Sequence, residues 1–421
     1  MRDVYVIGCA TTPFRRWADR SHKALAADAV LAALADAGLP SAGGAGPDSI
    51  SFGCCAGHAW GQANIIGHVL LDPLFRAGVL PERTPVVNVE GGCATGGLAF
   101  SAAVKDVRAG DAELSLAVGV EKTFMPHNPA AMMALFDGAL DQLDPSGWRA
   151  EYAAAAEAMG TEYAPVPQRI QLLDVCALEA QHHIARHGTT AAQIAASAAK
   201  NHTHAVHNPA AQYRAAMTVE EVLADQMVLA PRTRAMCAPI SDGAAAVLVC
   251  SAEALARLPA SVQARAVRVR AVAVSSGAHR SLDAPSLARV AADRAWERSG
   301  VAPTDLDVVE LHDATSFAEL YLSEMLRLCP DGQGGAYIAS GAACLGGRRP
   351  ANTSGGLVSK GHPLAATGLA MVHEIVTQLR QEAGGRQVHG ARLGAFQNGG
   401  GLIGFDEAAC VVGVLEAAGR V

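Results

Sequence analysis

Charge is scarce in this 421-residue chain: Asp, Glu, Lys and Arg make up only 17% of it, and aromatic residues only 5%. With 50% hydrophobic residues, so little charge excludes a disordered chain, which needs the opposite balance to stay unfolded. Basic blocks are missing too. Thirty-three Lys+Arg against 40 Asp+Glu leave a net charge of −7, without the positive footprint that a nucleic-acid-binding surface requires. No run of about 18 uncharged apolar residues exists, so no membrane helix is expected. Met1-Arg2-Asp3 passes straight into a strand-like Val4-Tyr-Val-Ile7, with no signal-peptide pattern. The ten Cys lack zinc-ribbon spacing, and the adjacent Cys54 and Cys55 cannot clip a loop, which points to reduced thiols in the cytoplasm. The phosphate-cradling G-x-x-x-x-G-K-[ST] is absent, which speaks against a nucleotide triphosphatase. What remains is a glycine-rich, closely packed α/β chain, long enough for two to three units of ~150 residues.

Its order repeats. A short strand at 4–8 precedes a helical pattern at 25–38 and a strand at 48–53; later a strand at 267–274 precedes a helix at 287–299, stopped by Gly300, and a strand at 305–312. Asn88-Val-Glu-Gly-Gly-Cys-Ala-Thr-Gly96 then resembles Asn352-Thr-Ser-Gly-Gly356 joined to Ala366-Thr-Gly368, with about eight extra residues, 357–364, in the second copy. Strands at 114–120 and 392–396 follow. Such duplication implies two βαβ-rich halves about a pseudo-two-fold axis. The halves are assigned to 1–121 plus 234–258 and to 259–421. An Ala-, Met- and His-rich segment at 122–233 has no counterpart and reads as an inserted loop or lid domain, where selectivity usually resides.

Chemistry concentrates at the repeated motifs. Cys93 ends a strand, follows Gly91-Gly92 and opens a helix, where backbone N–H groups and the helix dipole would stabilise a thiolate. Read alone, it is equally a small packed cysteine. His362 precedes the matching helix in the other half, so a two-fold axis would bring its imidazole to Cys93 as a base. His312 ends a buried strand, the expected place for a site residue in an α/β sheet; the adjoining Asp313 reads equally as a helix cap. Gly399, Gly400 and Gly401 offer N–H groups for an oxyanion, or simply a turn. The helix-spaced His183 and His187, followed by His202, His204 and His207, lack a carboxylate or Cys to complete a metal set, so no metal is expected. Met132-Met133 suit a packed or acyl-contacting surface.

Together these residues resemble the thiolase superfamily, in its sterol-carrier-protein-type branch. The resemblance runs through Thr12-Pro-Phe14, Glu90-Gly-Gly-Cys-Ala-Thr-Gly-Gly97, Asn208-Pro-Ala-Ala-Gln212, Pro239-Ile-Ser-Asp-Gly-Ala-Ala245, His312-Asp-Ala314, Asn352-Thr-Ser-Gly-Gly356, Gly361-His-Pro363 and Asn398-Gly-Gly400. It implies a duplicated, five-layer αβαβα fold and reversible Claisen chemistry on a 3-oxoacyl-CoA. Cys93 would carry the acyl group, His362 would take its proton, and His312 would share an oxyanion site. The N–H groups of Cys93 and of Gly399–Gly401 would form a second oxyanion site, with Ser241, Asn352 and Met132 touching CoA or substrate. CoA would be a substrate, with no covalently bound cofactor. The resemblance also implies a homodimer core and a small zinc-ribbon/OB-fold partner subunit, with a branched, aromatic or dicarboxylic substrate of the benzoylsuccinyl-CoA kind.

One departure stands out. The second cysteine that many thiolases use at the α-carbon is replaced by Gln397 at one motif and Ala314 at the other. Cys344, His312 or His362 would have to stand in. A retro-aldol lyase acting on acyl-CoA side chains, a non-catalytic scaffold subunit and a decarboxylating ketosynthase are the competing readings, and the intact Gly-Gly-Cys-Ala and Gly-His-Pro settings favour the thiolase.

Overall fold

Apolar runs buried on both faces build the strands of this protein, and Ala/Leu-rich segments closed by left-handed glycines build its helices. The computed structural model describes residues 2–40, 46–166 and 169–418. The first half comprises β1 (Val4–Thr11), α1 (His22–Asp36), β2 (Ser49–Gly53), α2 (Ile66–Arg76), β3 (Val86–Val89), α3 (Thr95–Ala109) and β4 (Leu114–Glu121). The 122–233 segment follows, with α4 (Pro129–Ala134), α5 (Pro145–Ala158), α6 (Gln171–His187), α7 (Ala191–Ala205), α8 (Val219–Ala224) and a ribbon of β5 (Met227–Leu229) and β6 (Arg232–Thr233). The chain then returns through β7 (Gly243–Ser251), and α9 (Ala252–Leu255) and α10 (Ala260–Gln263) link it to the second half. That half comprises β8 (Val267–Ser276), α11 (Leu287–Ser299), β9 (Val308–Glu310), α12 (Ser316–Met325), α13 (Gly334–Ala339), α14 (Leu364–Leu379), β10 (Leu393–Ile403) and β11 (Asp406–Ala417).

The duplication read from the sequence is the organising symmetry. One mixed sheet runs β3-β2-β4-β7-β1-β8-β11-β10-β9. In the first half β3, β2 and β4 are parallel, with β7 and β1 antiparallel to their neighbours. In the second, Ala351 bridges β9 in parallel, β9 and β10 are parallel, and β11 and β8 are antiparallel. Only two pairs, Tyr5 with Arg268 and Val6 with Val267, stitch the half-sheets together. Helices α1 and α2 cover one outer face, α11 and α12 the other, and α3 and α14 lie between the half-sheets, each in its own continuous apolar core. This is the expected five-layer α/β architecture.

Two details differ from the sequence reading. The strand expected at 305–312 is trimmed to Val308–Glu310, because Leu311 turns its N–H to the Asn352 side chain (2.7 Å) instead of the sheet. The 122–233 segment divides its packing: α5 and α6 form a small aromatic core with Phe405 at the β10–β11 turn, whereas α7 joins the outer layer of the second half. Among the described residues no helix is long and apolar enough to cross a membrane.

The central helices touch backbone to backbone at their N-terminal ends. A Cβ on Gly96 would lie 2.7 Å from the Ala365 carbonyl oxygen and 2.9 Å from the Gly368 nitrogen. A Cβ on Gly368 would lie 2.2 Å from Asn398 Oδ1 and 2.3 Å from the Gly97 nitrogen. Gly368→Ala should therefore force the helices apart and cost about 1–3 kcal/mol, seen as a lower denaturant midpoint. Gly138→Ala, where a methyl meets nothing within 4 Å, should stay within about 0.5 kcal/mol of wild type. Matching midpoints for the two variants would refute this packing argument.

Candidate active site

The sharp turn after β3 places Cys93. Gly92 is left-handed (φ 56°), and any side chain there would press on the Gly401 nitrogen at 3.0 Å. Cys93 follows in a single 3₁₀ turn, Gly92–Ala94, that feeds α3. Across the pseudo-two-fold axis, a π turn (Gly356–Lys360) and left-handed Gly361 deliver His362 just before α14. The His362 N–H donates to Ser241 Oγ (3.1 Å), which fixes the loop. His312 leaves the end of β9 with its N–H on Gln397 Oε1 (3.2 Å). The three side chains converge, with one thiol and two imidazole ligand atoms all within 4.8 Å of one another. The imidazoles meet edge to face at 4.9 Å.

Hydrogen bonds behind the rings assign opposite tautomers. Thr367 donates its hydroxyl to the Pro363 carbonyl (2.9 Å), so toward His362 Nδ1 (2.7 Å) it accepts. His362 Nδ1 thus carries the proton, and Nε2 is a bare acceptor, buried without a partner. Asn398 accepts the Gly97 N–H at Oδ1 (3.0 Å), so its Nδ2 is the donor, reaching the Cys93 carbonyl (3.0 Å) and His312 Nδ1 (3.0 Å). The Gly399 N–H also points at His312 Nδ1 (3.2 Å). His312 Nδ1 therefore accepts, and its Nε2 carries the proton. One ring offers a base; the other offers a donor. Three such ligands would also suit a soft metal ion, but a protonated His312 Nε2 cannot ligate, which leaves the set incomplete for one.

The electrostatics correct one expectation. The Cys93 thiol is not a helix-stabilised thiolate: burial, then the Glu121 and Glu407 carboxylates, push it up to about 12. The N-terminal turn opposes this through its N–H groups, but a single 3₁₀ turn does not outweigh desolvation. Burial also lowers His312 to about 4 and takes His362 well below the ordinary range, with His312 and Lys360 adding to the effect. At neutral pH the resting site is an uncharged thiol between two uncharged imidazoles.

The other expected site residues divide. Ser241 and Asn352 are fully buried and do not reach the cavity: Ser241 also donates to Gln212 Oε1 (2.6 Å), and Asn352 holds Leu311 and Glu319. They position the His362 and His312 segments. Met132 packs in the small apolar cluster that includes Cys93. Of the glycines, Gly399 has its N–H on His312, Gly400 packs its Cα on the Cys93 and Ala94 nitrogens, and left-handed Gly401 lines the cavity. Asp313 is no helix cap: its carboxylate accepts from the Leu357 N–H (2.7 Å) and Asn201 Nδ2 (2.8 Å), anchoring the π turn. Cys344 sits in a turn beside His204, whose Nε2 accepts the Leu345 N–H, and it does not line the cavity.

Four contributors were not singled out from sequence. Cys55 Sγ lies 3.1 Å from both Thr95 Oγ1 and the Gly92 carbonyl, at the base of the Cys93 turn. Glu121 gathers the N–H groups of Cys55, Ala56 and Ala365 (2.9–3.3 Å), tying both motifs to one buried carboxylate. Thr367 corresponds in the repeat to Thr95, so the repeat carried a signal for it. Glu407 had none. Above Cys93 opens a cavity of about 760 Å³, walled by Phe136, Leu140, Trp148 and Leu172 of the 122–233 segment, with His58 and Glu90 among its polar residues.

Comparison with known proteins places this geometry. A model of the thiolase N-terminal domain matches residues 4–229, and one of the thiolase C-terminal domain-like family matches residues 270–413. Acetyl-CoA acetyltransferase of Methanothermobacter thermautotrophicus is 35% identical over 96% of this chain and 98% of its own. Benzoylsuccinyl-CoA thiolase subunit BbsB of Thauera aromatica is 33% identical over 77% of each chain. The solved Ltp2-ChsH2(DUF35) aldolase superposes with a TM-score of 0.75 over 99% of this chain and 98% of that one, a likeness of fold at 22% identity. With both halves matched and the motifs converging as described, the chain belongs to the thiolase family of acyltransferases.

Proposed function

We propose that this enzyme cleaves, or forms, a 3-oxoacyl-CoA by Claisen chemistry through an acyl thioester on Cys93. The observation that carries the reading is the bare His362 Nε2, buried and unpartnered on an imidazole that has a ring nitrogen within 4.8 Å of the thiol. A thiol held near 12 is a poor nucleophile until a base takes its proton at the moment of attack. His362 Nε2 is that base, and Thr367 holds its tautomer. The Cys93 sulfur attacks the 3-oxo carbon, and the oxygen that becomes negative is met by the His312 Nε2–H. Breakage of the C2–C3 bond leaves the acyl group on Cys93 and releases a shorter acyl-CoA. Once His362 has released the Cys93 proton to solvent, incoming CoA gives its thiol proton to His362 and attacks the thioester. The acyl group leaves on CoA as the second product, and His362 returns that proton to the Cys93 sulfur. The Cys93 N–H, together with the N–H of Gly401, whose pairing with β11 is missing between Gly400 and Leu402, forms the second oxyanion site. CoA enters as substrate.

The apolar wall of Phe136, Leu140, Trp148 and Leu172 supports a branched or aromatic acyl group over acetyl alone, and the acidic Glu90, Asp141, Asp144 and Glu151 disfavour a dicarboxylic one. BbsB is named as a subunit, which supports a partner subunit here, the small zinc-ribbon/OB-fold protein that the sequence resemblance implies. The open edge of β3, where Val87 is 56% exposed, supports a homodimer. The aldolase likeness keeps a retro-aldol lyase as the second reading; a thiol between two imidazoles disfavours it.

Intact-protein mass spectrometry after brief incubation with acetyl-, acetoacetyl-, succinyl- and benzoyl-CoA should show an acyl adduct that maps to Cys93 and disappears in Cys93→Ala. Absence of any adduct, with cleavage persisting in Cys93→Ala, would transfer the assignment to the lyase. Thr367→Val should slow acylation by roughly ten- to a hundred-fold by freeing the His362 tautomer, and Thr367→Ser should restore it. Because the His362 pKa is lowered, its base form is lost only as pH falls through that lowered value. Wild-type acylation should therefore stay flat through about pH 6.5, where an ordinary histidine is half protonated. A midpoint at that pH would contradict this burial argument.

A further inference from the structure

We infer that Glu407 is the acid/base that carries the proton to and from the α-carbon of the substrate. The inference rests on the thiolase reading above and supplies the step that reading leaves open. When the C2–C3 bond breaks, its electron pair passes to C2 of the departing acyl-CoA, and that carbon must receive a proton. His362 Nε2 is occupied by the proton taken from Cys93, and the His312 Nε2–H faces the oxyanion. Gln397 is an amide that cannot ionise in the working range, and Ala314 carries no proton.

Two titratable side chains stand against this face of β10, Cys410 and Glu407. Burial, then the Glu407 charge, hold the Cys410 thiol well above its ordinary range, which leaves the Glu407 carboxyl as the proton carrier. A Cβ on Gly399 would fall 1.7 Å from Glu407 Oε1, so the carboxyl lies directly over the Gly399 Cα, beside the N–H that holds His312 Nδ1. Gln397 Nε2 stands 3.4–3.5 Å from its two oxygens. An unbroken pleat would not put it there. Glu407 pairs with Leu402 and Ala409 with Gly400, which assigns Glu407 to the face opposite Gln397 and Gly399. The contact with Gly399 shows that the regular alternation does not hold here, beside the unpaired step between Gly400 and Leu402 where Gly401 is left-handed (φ 66°).

Its surroundings suit a proton carrier. The charged groups facing it are carboxylates: Asp406 on its own strand and Glu179 on α6, both drawn toward Arg280 (3.5 and 2.7 Å). Cys410 and Gln397 contribute hydrogen bonds, Cys176 and Cys93 lie within range of its charge, and no cation is paired with it among the described residues. Burial, then Asp406, raise it to about 8, so near neutral pH it is mostly the acid, with the carboxylate readily populated. In cleavage, the Glu407 O–H bond breaks, its proton bonds to C2, and the carboxylate remains. It is reprotonated from solvent after product leaves. In condensation the carboxylate removes the same proton.

The test uses wild type, Glu407→Gln and Glu407→Asp with three readouts: acyl transfer from acetyl-CoA to Cys93, exchange of the acetyl-CoA methyl hydrogens with D2O, and cleavage of acetoacetyl-CoA by CoA. Glu407→Gln should acylate Cys93 at close to the wild-type rate, which also reports that it is folded. It should lose exchange and cleavage by at least about 100-fold, with partial return in Glu407→Asp. The wild-type cleavage rate should fall above about pH 8 as the acid form is lost, and Glu407→Gln should lack that limb. Exchange within about threefold of wild type in Glu407→Gln, or a parallel fall in acylation, would overturn the assignment. Absence of a Cys93 adduct in wild type would instead remove the thiolase reading, and this step with it.

Discussion

Everything at the centre of this molecule depends on two helices meeting without side chains between them. Gly96 and Gly97 at the start of α3 face Gly368 at the start of α14, close enough that a single added methyl would overlap backbone atoms. Packing at this distance brings two helix N-termini, and the turns that feed them, into one small volume. Asn398 then reads the arrangement: its amide joins the Gly97 N–H, the Cys93 carbonyl and His312 Nδ1, so strand β10, the Cys93 motif and the tautomer of the His312 imidazole share one side chain. Glu121 performs the same service from the other side, accepting N–H groups from the Cys55–Ala56 turn and from Ala365. The chemistry therefore inherits its precision from the most rigid contact in the fold.

A consequence of such enclosure is neutrality. A buried site with Glu121 and Glu407 nearby and, among the described residues, no unpaired cation cannot keep a thiolate at rest: burial above all raises the thiol and lowers both imidazoles. The charges that do lie nearby are committed elsewhere: Lys360 to Glu310 (3.4 Å) and Ser354 (2.8 Å), and Lys200 to Glu319 (2.8 Å) and the Ala351 carbonyl (2.7 Å). These buried pairs hold the loops that carry His312 and His362 without charging the rings. In the proposed reaction, proton transfer happens between neutral partners in concert with bond making, where preorganised N–H donors act at full strength in a low dielectric.

How much of this could be read from the chain follows from what is local. The repeat of Asn88–Gly96 and Asn352–Gly368 was enough to bring Cys93 and His362 together, because a two-fold axis converts similarity of order into proximity. Thr367 was within reach of the same comparison through Thr95. The thiol's pKa was not, since a helix terminus is visible in sequence whereas the sum of burial, Glu121 and Glu407 requires three segments assembled. Ser241 and Asn352 illustrate a related point: polar residues in motif-rich segments look like ligand contacts in sequence, whereas the structure shows hydrogen bonds directed inward. Glu407 left no sequence trace, because strand alternation puts it on the face opposite Gly399, and the contact appears only once β10 and β11 are assembled.

The asymmetry between the halves is what turns a symmetric frame into a directional catalyst. In the first copy the glycine turn passes straight into its helix, so the residue at the junction, Cys93, is pinned against the backbone of α3. In the second copy the 357–364 addition forms a π turn and a loop before α14 begins, anchored at its start by Asp313 and at its end by Ser241. That addition carries an imidazole across the axis to the junction of its twin. A strictly symmetric dimer of halves would have placed two like groups face to face, two thiols or two imidazoles, and neither pair contains both a nucleophile and a base. The eight added residues therefore resolve a problem that duplication itself creates, and the 122–233 segment adds a second asymmetry by walling the cavity above Cys93. Symmetry supplies the rigid meeting point, and each departure from symmetry supplies one chemical role.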